Sequence, residues 1–223
     1  VRQLIIDTAT EALSVALFDD GTLIAHHHEI AGRGHAEKLI PIISALPDGG
    51  KANEIIVDNG PGSFTGVRIG LAAARALGYA WGVDVRGYTS LSILAAIARE
   101  EASDNEASNN EETLFIAITG GHGELFWQKF VQKTLAPLGG ISSTPIAELA
   151  GTVTAPTVYG SGAKALVEAR GNGEAIILRP DARHFPLLPP AHLHYDVLPY
   201  YGRGADAIPL ARRKPQQKLS PSP

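Results

Sequence analysis

Gly60-Pro61-Gly62-Ser63-Phe64-Thr65-Gly66-Val67-Arg68 lies between a short apolar stretch, 54–57, and a long stretch of helical character, 66–81. Its glycines permit tight turning and close backbone approach, and a helix that starts here aims unpaired N–H groups back into the loop. Two readings follow. The loop is either an anion site at a helix N-terminus, with Gly60, Gly62, Ser63, Thr65, Gly66 and Arg68 as contacts, or a helix-entry turn in which Ser63 or Thr65 serves as N-cap. Standard phosphate motifs do not decide between them. The third glycine comes one place late for a dinucleotide fingerprint, and Val67-Arg68 stands where a Walker A loop has Lys-Ser/Thr. A nucleophile elbow also fails, because Pro61 occupies a position that needs glycine. Arg68 suits a phosphate contact or a cap and salt bridge equally well.

Outward from the loop, the pattern is that of an α/β protein. Leu4-Ile5-Ile6 reads as a strand running into the polar turn Asp7-Thr8-Ala9-Thr10. Strands are expected over 14–18 and 22–30, a helix over 35–46, a strand over 54–57, the helix over 66–81, a strand over 83–86 and a helix over 90–100. The stretch 100–112 is acidic and lacks large apolar side chains, so it reads as a linker or exposed loop. A second unit opens at Leu114-Phe115-Ile116-Ala117-Ile118 with another strand, turn and strand. The expected organisation is an N-terminal lobe over 1–108, a C-terminal lobe over 109–210 and a disordered basic tail over 211–223. Each lobe is a sheet carrying helices.

Along 66–82, Gly66, Gly70, Ala74, Gly78 and Gly82 recur every four residues. Such a row forms a smooth groove suited to close packing. Glycine inside a helix costs roughly 1 kcal/mol against alanine, so Gly70 and Gly78 point to a compensating contact, within the lobe or on a partner chain. Asp7, Thr8 and Thr10 stand at the end of the first strand, where α/β folds collect ligand groups. The acid could hold magnesium through water, or Asp7 and Thr8 could simply cap backbone N–H groups in a turn. His26-His27-His28 alternate across a strand, leaving at most two on one face, and no metal site is assigned to them.

Composition sets the outer bounds. The chain has 223 residues, 44% of them hydrophobic and 19% charged, with a formal net charge of −4. That is the balance of an ordinary globular protein, and a direct nucleic-acid binder would be more basic. Without cysteine there is no disulfide, thiolate metal site or thiol nucleophile. No apolar run is long enough to span a bilayer and no signal-peptide pattern opens the chain, so a cytoplasmic location is expected, with no membrane partner.

The segments Ile5-Ile6-Asp7-Thr8-Ala9-Thr10, His35-Ala36-Glu37-Lys38-Leu39-Ile40-Pro41, 60–68 and Gly87-Tyr88-Thr89-Ser90-Leu91 are similar to the signature segments of the TsaB (YeaZ) family. The resemblance is close over 1–100 and weaker beyond, where Gly123-Glu124-Leu125-Phe126 and Tyr201-Gly202-Arg203 carry it. It implies two related lobes of the actin-like ATPase (ribonuclease H-like) type, each a mixed sheet with helices.

It also implies a function. The chain would be a non-catalytic partner subunit of TsaD, which transfers threonylcarbamoyl to N6 of the tRNA adenosine beside the anticodon. TsaD holds a metal through two histidines on one helix, whereas here Leu39 follows His35 at that spacing. No catalytic residue, metal or required cofactor is therefore expected, although ATP or ADP with magnesium could bind at the interface of the complex. The implied partner-binding residues are His35, Leu39, Ile42, Ile43, Gly66, Gly70, Ala73, Ala74, Leu77 and Gly78. The implied partners are TsaD, in a heterodimer, and TsaE, with a homodimer when the chain is alone and tRNA reached only through the complex. The competing reading is a nucleotide-binding ATPase or small-molecule kinase of the same superfamily.

Overall fold

Leu4-Ile5-Ile6 is apolar without interruption because its strand is covered on both faces. In the computed structural model, which describes residues 1–32, 34–104 and 113–200, β1 (Arg2–Asp7) sits at the centre of a five-stranded sheet. Ile5 points to one apolar layer, while Leu4 and Ile6 point to the other. β2 (Ala12–Asp19) and β3 (Thr22–Ile30) follow β1 as an antiparallel meander. On its other side, β4 (Glu54–Asp58) and β5 (Asp84–Tyr88) lie parallel, giving the order β3-β2-β1-β4-β5. Parallel neighbours need crossovers, and α1 (His35–Ala45) and α2 (Phe64–Trp81) lie within two of them.

A second sheet repeats this plan. β6 (Thr113–Thr119), β7 (Glu124–Val131) and β8 (Pro137–Pro145) form the meander, and β9 (Thr157–Tyr159) and β10 (Glu174–Ile176) add in parallel, in the order β10-β9-β6-β7-β8. Short helices α4 (Ile146–Ala150) and α5 (Ala163–Arg170) lie between its later strands. The two sheets are mixed and share one topology, so the lobes are structurally related.

α3 (Ser90–Asp104) joins the halves. Leu91, Ile93, Leu94 and Ile97 share one buried cluster with Ile5, Phe18 and Ile56 of the first sheet and Leu114, Ile116 and Phe130 of the second. This explains why residues 90–98 carry so few polar side chains: the helix is covered on most sides. Its last turn runs on to Asp104, so 100–104 is helical where the sequence suggests a linker; 105–112 lies outside the described residues. The expected tail over 211–223 and the segment Tyr201-Gly202-Arg203 also lie outside them.

Beyond β10 the chain turns back onto the first sheet. The side chain of Asp181 caps a 3-10 helix, Ala182–Leu187, and accepts from the Ser14 hydroxyl of β2. Gly87 of β5 and His194 exchange backbone hydrogen bonds at 2.8 and 3.1 Å. Among the described residues, no helix is long and apolar enough to cross a membrane.

Candidate functional site

β1 and β4 run parallel and in register, with Ile6 beside Val57, so their carboxyl ends place Asp7 and Asp58 next to each other. Both are wholly buried. The Tyr88 hydroxyl donates to Asp7 Oδ2 at 3.0 Å, and the Ala9 N–H approaches Asp7 Oδ1 at 3.3 Å. Asp58 accepts from Gly60 N–H at 2.7 Å and from the Ser90 hydroxyl at 2.6 Å. The two carboxyl groups also hydrogen-bond each other.

Two buried carboxylates in contact cannot both be ionised cheaply, so the pair shares a proton. Burial pushes Asp7 up to about 6, held there by hydrogen bonds from Asp58 and Tyr88. Burial, reinforced by the charge on Asp7, drives Asp58 well above the usual carboxylate range. Near neutral pH, Asp58 is the protonated donor and Asp7 the acceptor. Tyr88 is itself held in the phenol form, first by burial and then by the Asp7 charge. Tyr88→Phe removes a buried donor to an ionised acceptor, and we expect it to cost about 1–3 kcal/mol in urea unfolding at pH 7. The loss should shrink at pH 5, where Asp7 is largely protonated.

The glycine-rich loop closes over this pair. Ser63 is the N-cap of α2, its Oγ accepting from Gly66 N–H at 3.3 Å, and its own N–H donates to the Ala9 carbonyl at 2.6 Å. The Thr8 hydroxyl donates to the Gly66 carbonyl at 2.8 Å. A Cβ on Gly62 or Gly66 would fall closer than 3.0 Å to the Ala9 or Thr8 carbonyl oxygen, which is why glycine occupies both positions. Thr10 is half-buried and accepts from Ala12 N–H at 3.3 Å, as a turn residue does. Ser63 thus caps the helix as the helix-entry reading expects, and Asp7 accepts from a backbone N–H as the turn reading expects, whereas Thr8 donates to a carbonyl instead of capping an N–H. Ser63, Phe64, Thr65 and Arg68 are exposed on the outer side of the loop, with the Arg68 guanidinium 3.4 Å from the Phe64 ring centroid. The structure thus separates the expected phosphate-binding set into buried members, Asp7, Thr8, Gly60 and Gly66, half-buried members, Thr10 and Gly62, and outward-facing members, Ser63, Thr65 and Arg68.

The glycine row on α2 calls for a correction. Gly66, Gly70, Ala74 and Gly78 face the protein's own sheet and are buried. A Cβ on Gly70 would stand 2.5 Å from Thr8 Oγ1, and one on Gly78 would stand 2.6 Å from a Val85 methyl. The compensating contact for helical glycine is the close approach of α2 to β1 and β5. On α1, His35, Leu39 and Ile43 are also buried, and His35 Nε2 lies 3.2 Å from the Ala12 carbonyl. These seven positions serve the first lobe's core. Ile42, Ala73 and Leu77 are half-buried at its margin, and the outer face of the two helices instead presents Ile40, Phe64, Ala72, Ala76 and Tyr79. Core and surface glycine rows look alike in sequence because a helix has two sides and the four-residue spacing marks only one of them.

Asp58, Tyr88 and Ser90 are not singled out as site residues by the sequence. The available signal is Asp58 itself, an acid directly after a strand of the same character as the one before Asp7.

Comparison with known proteins places this geometry. The family model for tRNA N6-adenosine threonylcarbamoyltransferase, TsaD, matches residues 26–168. The tRNA threonylcarbamoyladenosine biosynthesis protein TsaB of Escherichia coli K12 is 36% identical over 135 residues, 58% of this chain and 55% of that protein. The chain thus matches little more than half the length of that relative. Two solved Pseudomonas aeruginosa structures are similar over nearly their whole length. One is described as an uncharacterized protein with similarity to peptidase YeaZ, with a TM-score of 0.73, 27% identity and coverage of 91% of this chain and 99% of that one. The other is YeaZ, with a TM-score of 0.70, 26% identity and coverage of 90% and 99%. The family model covers more than half of the chain, so the chain belongs to the TsaD family, and within it the chain is similar to proteins named TsaB and YeaZ.

Proposed function

We propose that the chain acts in threonylcarbamoyladenosine formation on tRNA as a non-catalytic subunit that binds and activates TsaD. The name borne by the E. coli relative supports the pathway, and the match to the TsaD family model supports kinship with the catalytic subunit. The observation that carries the non-catalytic reading is Leu39. One turn beyond His35, where a second histidine would complete a helical metal pair, stands a leucine that is 1% exposed and packed in the core. His35 itself is 3% exposed and turned onto a backbone carbonyl.

In this reading the outer face of α1 and α2 meets TsaD, and in its absence a second copy of the chain. Tyr79 is 93% exposed, Phe64 57% and Ile40 47%, with Ala72 and Ala76 between them on the same side of α2. Aromatic anchors among small residues suit a protein interface. TsaE would join this complex, tRNA would be reached only through it, and ATP or ADP with magnesium would sit at its interface near Ser63 and Thr65. The chain itself would require no cofactor.

The test is reconstitution of tRNA modification with TsaD, TsaE and the adenylate-forming enzyme. Ala76→Arg is the informative variant: it is exposed, so the chain should stay folded, while TsaD binding and product formation should fall at least about tenfold from a charge placed in the contact. Ala74→Arg would not serve, because Ala74 is fully buried and its replacement would unfold the lobe. If Ala76→Arg supports modification as well as wild type does, this face is not the interface; if modification proceeds without the chain, the subunit reading fails.

A further inference from the structure

β3 is the edge strand of the first sheet, and its residues His26, His27 and His28 alternate between faces. His27 pairs across from Val15 and turns toward Glu29, with Nε2 3.4 Å from Oε2. His26 and His28 pair across from Ala16 and Ser14, on the face covered by the returning segment that carries Asp181. His26 Nε2 lies 2.8 Å from Asp181 Oδ1, and His28 Nδ1 lies 3.6 Å from Asp181 Oδ2. The two imidazole rings are stacked, with centroids 6.3 Å apart and 19° between planes. One nitrogen from each ring and one carboxylate oxygen all fall within 4.8 Å of one another.

From this arrangement we infer a binding site for a divalent transition ion of the zinc class, held by His26, His28 and Asp181 with solvent as the fourth ligand. Zinc–nitrogen and zinc–oxygen bonds of about 2.0–2.1 Å at a tetrahedral angle place ligand atoms roughly 3.3–3.4 Å apart. The two imidazole–carboxylate separations, each to a different oxygen, lie on either side of that value, and an ion would draw the three side chains together from within 4.8 Å of one another. A second observation is independent of the clustering. His28 Nδ1 is sealed from solvent and has no hydrogen-bond partner, and a buried polar nitrogen left unpaired is costly unless something occupies it.

Asp181 is 4% exposed and is fixed by Arg183 N–H at 3.0 Å and by the Ser14 hydroxyl at 3.2 Å. It thereby has the supporting hydrogen bonds that a ligating carboxylate needs. Arg183 Nε lies 3.0 Å from Asp181 Oδ2 on the solvent side and competes with the ion for that oxygen. The bound ion would clamp the returning segment to the open edge of the first sheet. This inference stands apart from the TsaD reading, since it needs no partner and no tRNA.

The test is titration of the untagged, chelator-stripped full chain with Zn2+ against a chromophoric competitor, with Co2+ absorption as the report on coordination. Wild type should bind one equivalent, with the intense visible bands of four-coordinate Co2+ and a raised Tm. His26→Ala and His28→Ala should each weaken binding by at least about tenfold and lose the Tm shift. His27→Ala should bind as wild type, and Arg183→Gln should bind more tightly. Asp181→Asn, close in shape, should lose the tight equivalent while keeping the metal-free circular dichroism spectrum. Absence of a stoichiometric site, equal binding by His28→Ala, or equal losses on replacing His27 and His28 would overturn the proposal.

Discussion

Gly66→Ala should destabilise the protein by about 3 kcal/mol in urea unfolding, against the direction that helix propensity gives. Position 66 lies in the first turn of α2, where alanine is favoured over glycine by up to roughly 1 kcal/mol. A methyl group there would meet the Thr8 carbonyl oxygen closer than 3.0 Å. That oxygen belongs to the buried turn after β1 and has no flexible end to swing away, so α2 would have to lift off the sheet. Overpacking typically costs about 1–3 kcal/mol, and the value here should lie at or beyond the upper end, since movement would also break the Thr8 hydroxyl bond to Gly66. Ala76→Gly, on the exposed side of the same helix, should cost only about 1 kcal/mol. A neutral or stabilising Gly66→Ala would mean that α2 does not approach β1 so closely.

The acid pair gives the second large effect, which is one of pH. Asp7 and Asp58 both have pKa values raised on folding, by burial above all. A group raised in this way contributes stability that is fully present below its unfolded value, 3.8, and lost as pH rises through the folded value, about 6 for Asp7 and higher for Asp58. Asp58→Asn keeps a permanent donor toward Asp7 and removes one titration. Compared with this variant, wild type should lose stability steadily between pH 5 and pH 8, by up to about 1.4 kcal/mol for each pH step of one over which only the folded chain holds the proton. Thermal melts of the two proteins across that range provide the check. A constant difference between them would show that the two carboxyl groups do not share a proton.

Legibility in the sequence follows how local the determining contacts are. The first lobe can be read from Leu4 to Glu100 because strands covered on two faces give unbroken apolar runs, while α1 and α2 give four-residue periodicity. The second lobe is harder. β8 contains Gly139, Gly140, Ser142 and Ser143, which signal a loop, and it is a strand only because β7 supplies its partner. α4 and β10 are too short for any period to show. At the candidate site, Asp7 and the loop are marked by their positions after a strand and before a helix. Asp58 escapes because its meaning lies in its neighbour across a parallel ladder, and Asp181 because it is 155 residues from His26. The glycine row announces a contact surface, but periodicity alone does not say what it touches.

The returning segment also bears on how the chain is made. Asn59, at the end of β4, receives hydrogen bonds from nothing nearby in sequence: its carbonyl accepts from Tyr200 N–H and its amide donates to the Leu198 carbonyl, both at 2.8 Å. Gly87 takes His194 as its partner, and Ser14 takes Asp181. A ribosome delivers residues 1–104 well before these. The first sheet and its helices can assemble as they emerge, but the face bearing His26 and the outer edge of β5 must wait, wet and unpaired, until about residue 200 has cleared the exit tunnel. The lobe that begins first is thus completed last, and truncation before residue 181 should leave a half-finished first lobe rather than an intact one lacking its neighbour.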